Sequence, residues 1–124
     1  MGNDLRRRLG QAGELLAAEH LTRLGFKLVQ RNYRTRWGEL DIVAFDGRTL
    51  VFCEVKTRRA RGSAGGPFDA VGPAKQARVR KMAGRWLLER TDRPYAEVIR
   101  FDAIGVTFDA AGRLLALEHL EAAF

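Results

Sequence analysis

The sequence predicts an α/β sandwich. Two observations carry that expectation: two stretches of helical periodicity are separated by strands, and the central pair of strands is apolar on both faces. The pair is Leu40 to Phe45 and Leu50 to Lys56, set around Asp46-Gly47, a strong hairpin signal. One face of this hairpin carries Leu40, Ile42, Ala44, Val51, Cys53 and Val55, and the other carries Val43, Phe45 and Phe52 beside charged positions. A sheet covered by helices on both sides accounts for apolar residues on both faces.

The first helix is expected over residues 4–24. Ala17, Ala18, Leu21 and Leu24 recur at helical spacing, and Gly25 supplies a C-terminal cap. Phe26 to Tyr33 alternates as a strand before the hairpin. Residues 57–72 hold five glycines or prolines among arginines, a composition that suits a mobile basic loop. Pro73 suits the first turn of a second helix running to about Arg90, with Ala77, Met82, Trp86 and Leu87 as its core contacts. Val98 to Phe108 and Leu114 to Leu120 close the chain as two strands joined through Asp109 to Gly112. The order is α-β-β-β-α-β-β. With 124 residues, the chain suits one domain with one core.

Charge narrows the function classes. The formal net charge is +7, and residues 1–90 hold nineteen Lys/Arg against nine Asp/Glu, whereas residues 91–124 hold three against six. A concentrated positive field attracts polyanions, so nucleic acid is the expected partner. No apolar stretch of about 18 residues could span a membrane, and the opening Met-Gly-Asn-Asp-Leu-Arg-Arg-Arg lacks the apolar core of a signal peptide. One cysteine, Cys53, cannot form an internal disulfide and suits a reducing cytoplasm; its apolar setting reads as packing. His20 and His119 stand isolated and read as surface residues, and Asp102 reads as a structural acid in a strand.

The chemistry rests on acid placement. Side chains alternate along a strand, so Glu54 and Lys56 share a face, with Glu39 on the matching face by parity. A two-residue turn at Gly47-Arg48 sets Asp41 opposite Glu54, and a turn at Asp46-Gly47 sets it one diagonal away. Either register brings Asp41, Glu54 and Lys56 to one patch. Converging carboxylates repel unless a cation or proton relieves them, and Mg2+ (or Mn2+) takes oxygen ligands of this kind. Glu14 lies on the packed stripe of the first helix, from which it could reach the same patch. The candidate catalytic set is therefore Glu14, Asp41, Glu54 and Lys56, with Asp41, Glu54 and Glu14 as metal ligands. The bland alternatives are cross-strand pairing for Glu54 and Lys56, a helix-end surface acid for Glu14, and a pair with a neighbouring arginine such as Arg36 for Glu39.

The runs Gly13-Glu14, Arg31-Asn32-Tyr33-Arg34, Gly38-Glu39-Leu40-Asp41-Ile42-Val43-Ala44, Phe52-Cys53-Glu54-Val55-Lys56-Thr57-Arg58, Lys75-Gln76 and Arg100-Phe101-Asp102 resemble the bacterial YraN family. That family is placed in the restriction-endonuclease-like superfamily, near the archaeal Holliday-junction resolvases. The resemblance implies a three-layer sandwich, its central mixed sheet flanked by helices. It also implies that Glu14 is the superfamily's helix acid, Asp41 its first strand acid, and Glu54 with Lys56 its acid-x-lysine pair. Leu40 stands where the namesake motif has proline, which is not a ligand. Lys75 and Gln76 match a position facing the site, where phosphate could bind.

The expected function is metal-dependent hydrolysis of DNA phosphodiester bonds, on branched or damaged DNA. Arg34, Arg36, Arg58, Arg59 and Arg61 would hold phosphates. The alternative is a non-catalytic nucleic-acid-binding or adaptor module on the same fold. A four-way junction needs two symmetric cuts, so that substrate would require a homodimer.

Overall fold

The computed structural model describes residues 2–60 and 71–124, with the side chains of residues 2 and 3 outside the description. Its elements run α1 (Gly2–Arg23), β1 (Lys27–Thr35), β2 (Gly38–Phe45), β3 (Thr49–Arg59), α2 (Pro73–Glu89), β4 (Val98–Phe108) and β5 (Leu114–Leu120). The five strands form one mixed sheet in the order β1-β2-β3-β4-β5, with only β3 and β4 parallel. The α/β order and the two-sided sheet are as the sequence predicts.

Each face of the sheet carries one helix and one core. Ala17, Ala18 and Leu21 of α1 pack on Ile42, Ala44, Val51, Cys53, Ile104 and Val106. Val79, Met82, Ala83 and Trp86 of α2 pack on Leu40, Val43, Leu50 and Phe52. Three expectations about the core are corrected here. Leu24 is 51% exposed, because the chain leaves the helix there. The Gly25 N–H donates to the Thr22 carbonyl (3.0 Å) and the Phe26 N–H to the Leu21 carbonyl (3.0 Å), a Schellman ending that Gly25 permits with φ +97°. Ala77 is exposed, and Val79 and Ala83 take the inward positions. Leu40 joins the α2-side core with Val43 rather than lying beside Ile42, so the alternation of β2 slips at Asp41.

The hairpin register matters most for the site. Asp46 Oδ1 accepts the N–H groups of Arg48 (3.0 Å) and Thr49 (2.7 Å), which closes a two-residue turn at Gly47-Arg48. Phe45 then pairs with Leu50 and Ile42 with Cys53, the register that directs Asp41 toward Glu54. β3 runs on to Arg59, paired with β4 through Phe108. The basic loop expected over 57–72 therefore starts later, because residues 57–59 are held in the sheet; residues 61–70 lie outside the described residues.

Candidate metal centre

β2 and β3 part just after the Ile42–Cys53 pair. In the gap Asp41 takes over from the ladder: its Oδ2 accepts the Val55 N–H at 2.7 Å. That bond gives the β3 backbone a partner that β2 no longer supplies. The opening also lets acids from both sides of the sheet approach one another.

Glu14 comes from α1, and the helix lies close to the sheet there. A Cβ added at Gly13 would sit 2.0 Å from Thr57 Oγ1 and 3.2 Å from both Thr57 Cβ and Cγ2, so only glycine allows this approach. Gly13→Ala is expected to destabilise the fold by ~1–3 kcal/mol through overpacking, outweighing the ~1 kcal/mol that alanine gains in helix propensity. Urea unfolding checks this, with Thr57→Ala in the same chain expected to restore most of the loss.

Carboxylate oxygens of Glu14, Glu39 and Asp41 lie within 4.8 Å of one another. Glu39 thus enters as a full member of the cluster, and the neighbouring arginine it pairs with is Arg34 (3.3 Å). Glu54 adjoins this group from the α2 side. Its Oε1 meets Lys75 Nζ at 2.9 Å, and its buried Oε2 has no hydrogen-bond partner. Burial, then the Glu54 and Glu14 charges, push the Asp41 carboxyl far above the ordinary range, to about 8. Burial and the Glu39 charge likewise raise Glu14.

Sequence reasoning missed Asn32, which lies on β1. It adopts φ +53°, a left-handed conformation rare for a residue inside a strand. With its amide nitrogen turned toward the acids, it donates to Glu39 Oε1 (2.9 Å) and Glu14 Oε2 (3.1 Å). A polar residue that tolerates left-handed geometry was the available signal, but its partners are set by the packing of α1 against β1.

Other candidates are placed as follows. Lys56 is exposed on β3, two residues beyond Glu54, with no hydrogen-bond or ion-pair partner among the described residues. Gln76 Nε2 donates to the Val71 carbonyl (2.7 Å). Arg36 lies over the Trp37 ring at 4.8 Å. Arg58 Nε donates to Thr107 Oγ1 (3.0 Å) and Arg59 to the Ala110 carbonyl (2.6 Å). Arg61 lies outside the described residues.

His20 and His119 are not isolated. His20 Nε2 and His119 Nδ1 are 3.0 Å apart, and His119 Nε2 bonds Asp102 Oδ2 at 2.7 Å. Asp102, fully buried, also accepts two hydrogen bonds from Arg100 and the Ala122 N–H. Those donors hold its carboxyl below its usual range against the opposing effect of burial. With its acceptors occupied, Asp102 is a structural acid. Cys53 is buried in the α1-side core, and burial pushes its thiol up, which suits packing.

Fold and site define an α/β sandwich with a carboxylate cluster where a β-hairpin opens. The chain belongs to the uncharacterised protein family UPF0102, whose model matches residues 13–106, and the YraN resemblance is to this same family. A UPF0102 protein of Parafrankia sp. is 48% identical over 117 residues, covering 94% of this chain and 96% of the relative. A UPF0102 protein of Anaeromyxobacter dehalogenans is 47% identical over 122 residues, 98% of this chain and 87% of the relative. One from Mycobacterium avium is 52% identical over 100 residues, 79% of this chain and 76% of the relative. Among the described residues, no helix is long and apolar enough to cross a membrane.

Proposed function

We propose that this protein is a magnesium- or manganese-dependent endonuclease that hydrolyses DNA phosphodiester bonds, with branched or damaged DNA as its substrate class. The observation that carries the reading is the carboxylate cluster itself. Glu14, Glu39 and Asp41 converge from two elements, and the buried Glu54 Oε2 faces no partner. Such a set fits a hard divalent cation, which would neutralise the mutual repulsion and supply the missing partner.

Asp41, Glu54 and Glu14 would hold the ion, with Glu39 as a fourth oxygen donor and Asn32 orienting the Glu14 and Glu39 carboxylates. A bound divalent ion polarises a phosphodiester and lowers the pKa of a nearby water. Lys56, on the strand of Glu54, would offset negative charge building on the phosphate. Arg34, Arg36, Arg58, Arg59, Arg61, Lys75 and Gln76 would contact the nucleic-acid backbone, a contact type that positions DNA without reading sequence. DNA affinity is therefore expected to fall steeply with salt: six phosphate contacts would give a slope of about −5 in log K against log salt. A flat titration between 50 and 200 mM salt would remove the basic surface from this reading.

The Lys75–Glu54 ion pair favours a second reading, in which a lysine partly fills the cation's role and the fold serves as a non-catalytic nucleic-acid-binding or adaptor module. The deciding experiment is cleavage of labelled single-stranded, duplex, flap and four-way-junction DNA with Mg2+ or Mn2+. Metal-dependent cleavage of one class supports the nuclease; binding without cleavage of any class supports the module. The compartment that suits either activity is the cytoplasm, and two symmetric cuts at a junction would need a homodimer.

A further inference from the structure

Beside the carboxylate cluster, between the start of α1 and the end of β3, lies a groove of about 750 Å³, within the ~300–1,000 Å³ range of ligand sites. Its floor is apolar, from Leu5 and Leu9 of α1 and Val55 of β3, and Arg6, Arg58 and Arg59 stand along it. Glu14 lines the groove and also belongs to the carboxylate cluster, so the groove adjoins the cluster at Glu14.

We infer that this groove receives an unstacked, single-stranded segment of nucleic acid that leads into the carboxylate site. The inference rests on the nuclease reading and specifies its substrate: DNA with unpaired nucleotides next to the scissile phosphate. The groove's chemistry matches a nucleotide in two respects. The arginines complement the phosphates, and the Leu5-Leu9-Val55 floor suits the face of a base. Inside a duplex those base faces are covered by stacking, so only an unpaired, splayed-out nucleotide can offer both. Inorganic phosphate or an acidic peptide would leave the apolar floor unmatched. The Arg59 guanidinium donates to the Ala110 carbonyl, an uncharged acceptor that fixes the group while keeping its positive charge at the groove.

Gly10 lines the groove, and a Cβ there would meet nothing within 4 Å. Gly10→Phe can therefore fill the groove without a clash at its first atom, while replacing a poor helix former. Leu5→Glu, at a residue 39% exposed, gives a second variant that repels phosphate instead of blocking space. The experiment is fluorescence anisotropy with a labelled 20-nucleotide thymidine strand and a duplex of equal length, in EDTA, with circular dichroism melting as the fold control. Both variants are expected to bind the single strand at least tenfold more weakly and the duplex within twofold of wild type. Unchanged single-strand affinity, equal losses on both DNAs, or a wild type that does not bind the single strand would each overturn the inference. So would displacement of the strand by thymidine monophosphate at equal nucleotide concentration, which would mark a mononucleotide site. Because no turnover is measured, a protein that fails the cleavage panel still gives a readable answer about the groove.

Discussion

Glu54→Gln is expected to slow metal-dependent cleavage by about 10³-fold or more while leaving DNA affinity within roughly threefold of wild type. A divalent ion contributes several kcal/mol of charge stabilisation in a phosphodiester transition state, and each ~1.4 kcal/mol is tenfold in rate. Glutamine keeps the size of Glu54 but gives up the buried, unpartnered Oε2 and the charge that faces Asp41. The fold should survive the change. Lys75 is 45% exposed, so water takes over its solvation, and surface-exposed partners of ion pairs contribute little. Single-turnover cleavage under magnesium, on whichever DNA the wild type cuts, measures the effect. A variant that cuts within threefold of wild type would take Glu54 out of the chemistry and sink the proposed centre.

The second large effect is on stability. Asp41→Asn is expected to raise the stability of the metal-free protein at pH 8 by ~2 kcal/mol or more, roughly 5–10 °C in melting temperature for a domain of this size. The folded-state carboxyl of Asp41 is raised from 3.8 to about 8, first by burial and then by the Glu54 and Glu14 charges. A group raised on folding contributes stability that is fully present below its unfolded pKa and is lost as pH climbs through its folded pKa. The loss therefore runs from about pH 4 to about pH 8, at up to ~1.4 kcal/mol per pH unit. Asparagine removes the charge and keeps an oxygen that can accept the Val55 N–H. The advantage of the variant should therefore shrink as the buffer is lowered toward pH 5. Millimolar Mg2+ should stabilise the wild type at pH 8 by mass action and leave Asp41→Asn unmoved. Melting curves at pH 5 and pH 8, with and without magnesium, test both statements. A difference that does not vary with pH would show that Asp41 is not strained by its neighbours.

Much of the frame was legible in the residues. The α-β-β-β-α-β-β order follows from periodicity, from Gly25 and Pro73 as helix punctuation, and from the Asp46-Gly47 hairpin signal. These are local signals, and local geometry decides them. The convergence of Asp41 with Glu54 was legible for the same reason. Both permitted hairpin registers bring the two side chains close, and Asp46 selects one of them through its bonds to Arg48 and Thr49.

Only the tertiary structure decided what depends on one element meeting another. Parity put Glu39, Asp41 and Leu40 in regular alternation, but β2 pairs with β3 only from Ile42 to Phe45. Leu40 consequently turns to the α2 side, and Glu39 gathers with Glu14. Asn32 became a clasp for two acids because α1 packs against β1, and His20 met His119 across 99 residues because the end of α1 reaches β5 at that pair. Ala77 fits a helical stripe yet faces solvent, because α2 presents only part of its stripe to the sheet, and Leu24 faces solvent because it lies just past the end of α1. Spacing reports which side chains share a face of their own element. Which faces meet, and how deeply a charge is buried between them, depends on packing over long sequence separations, and that burial raises Asp41 and leaves Glu54 Oε2 without a hydrogen-bond partner.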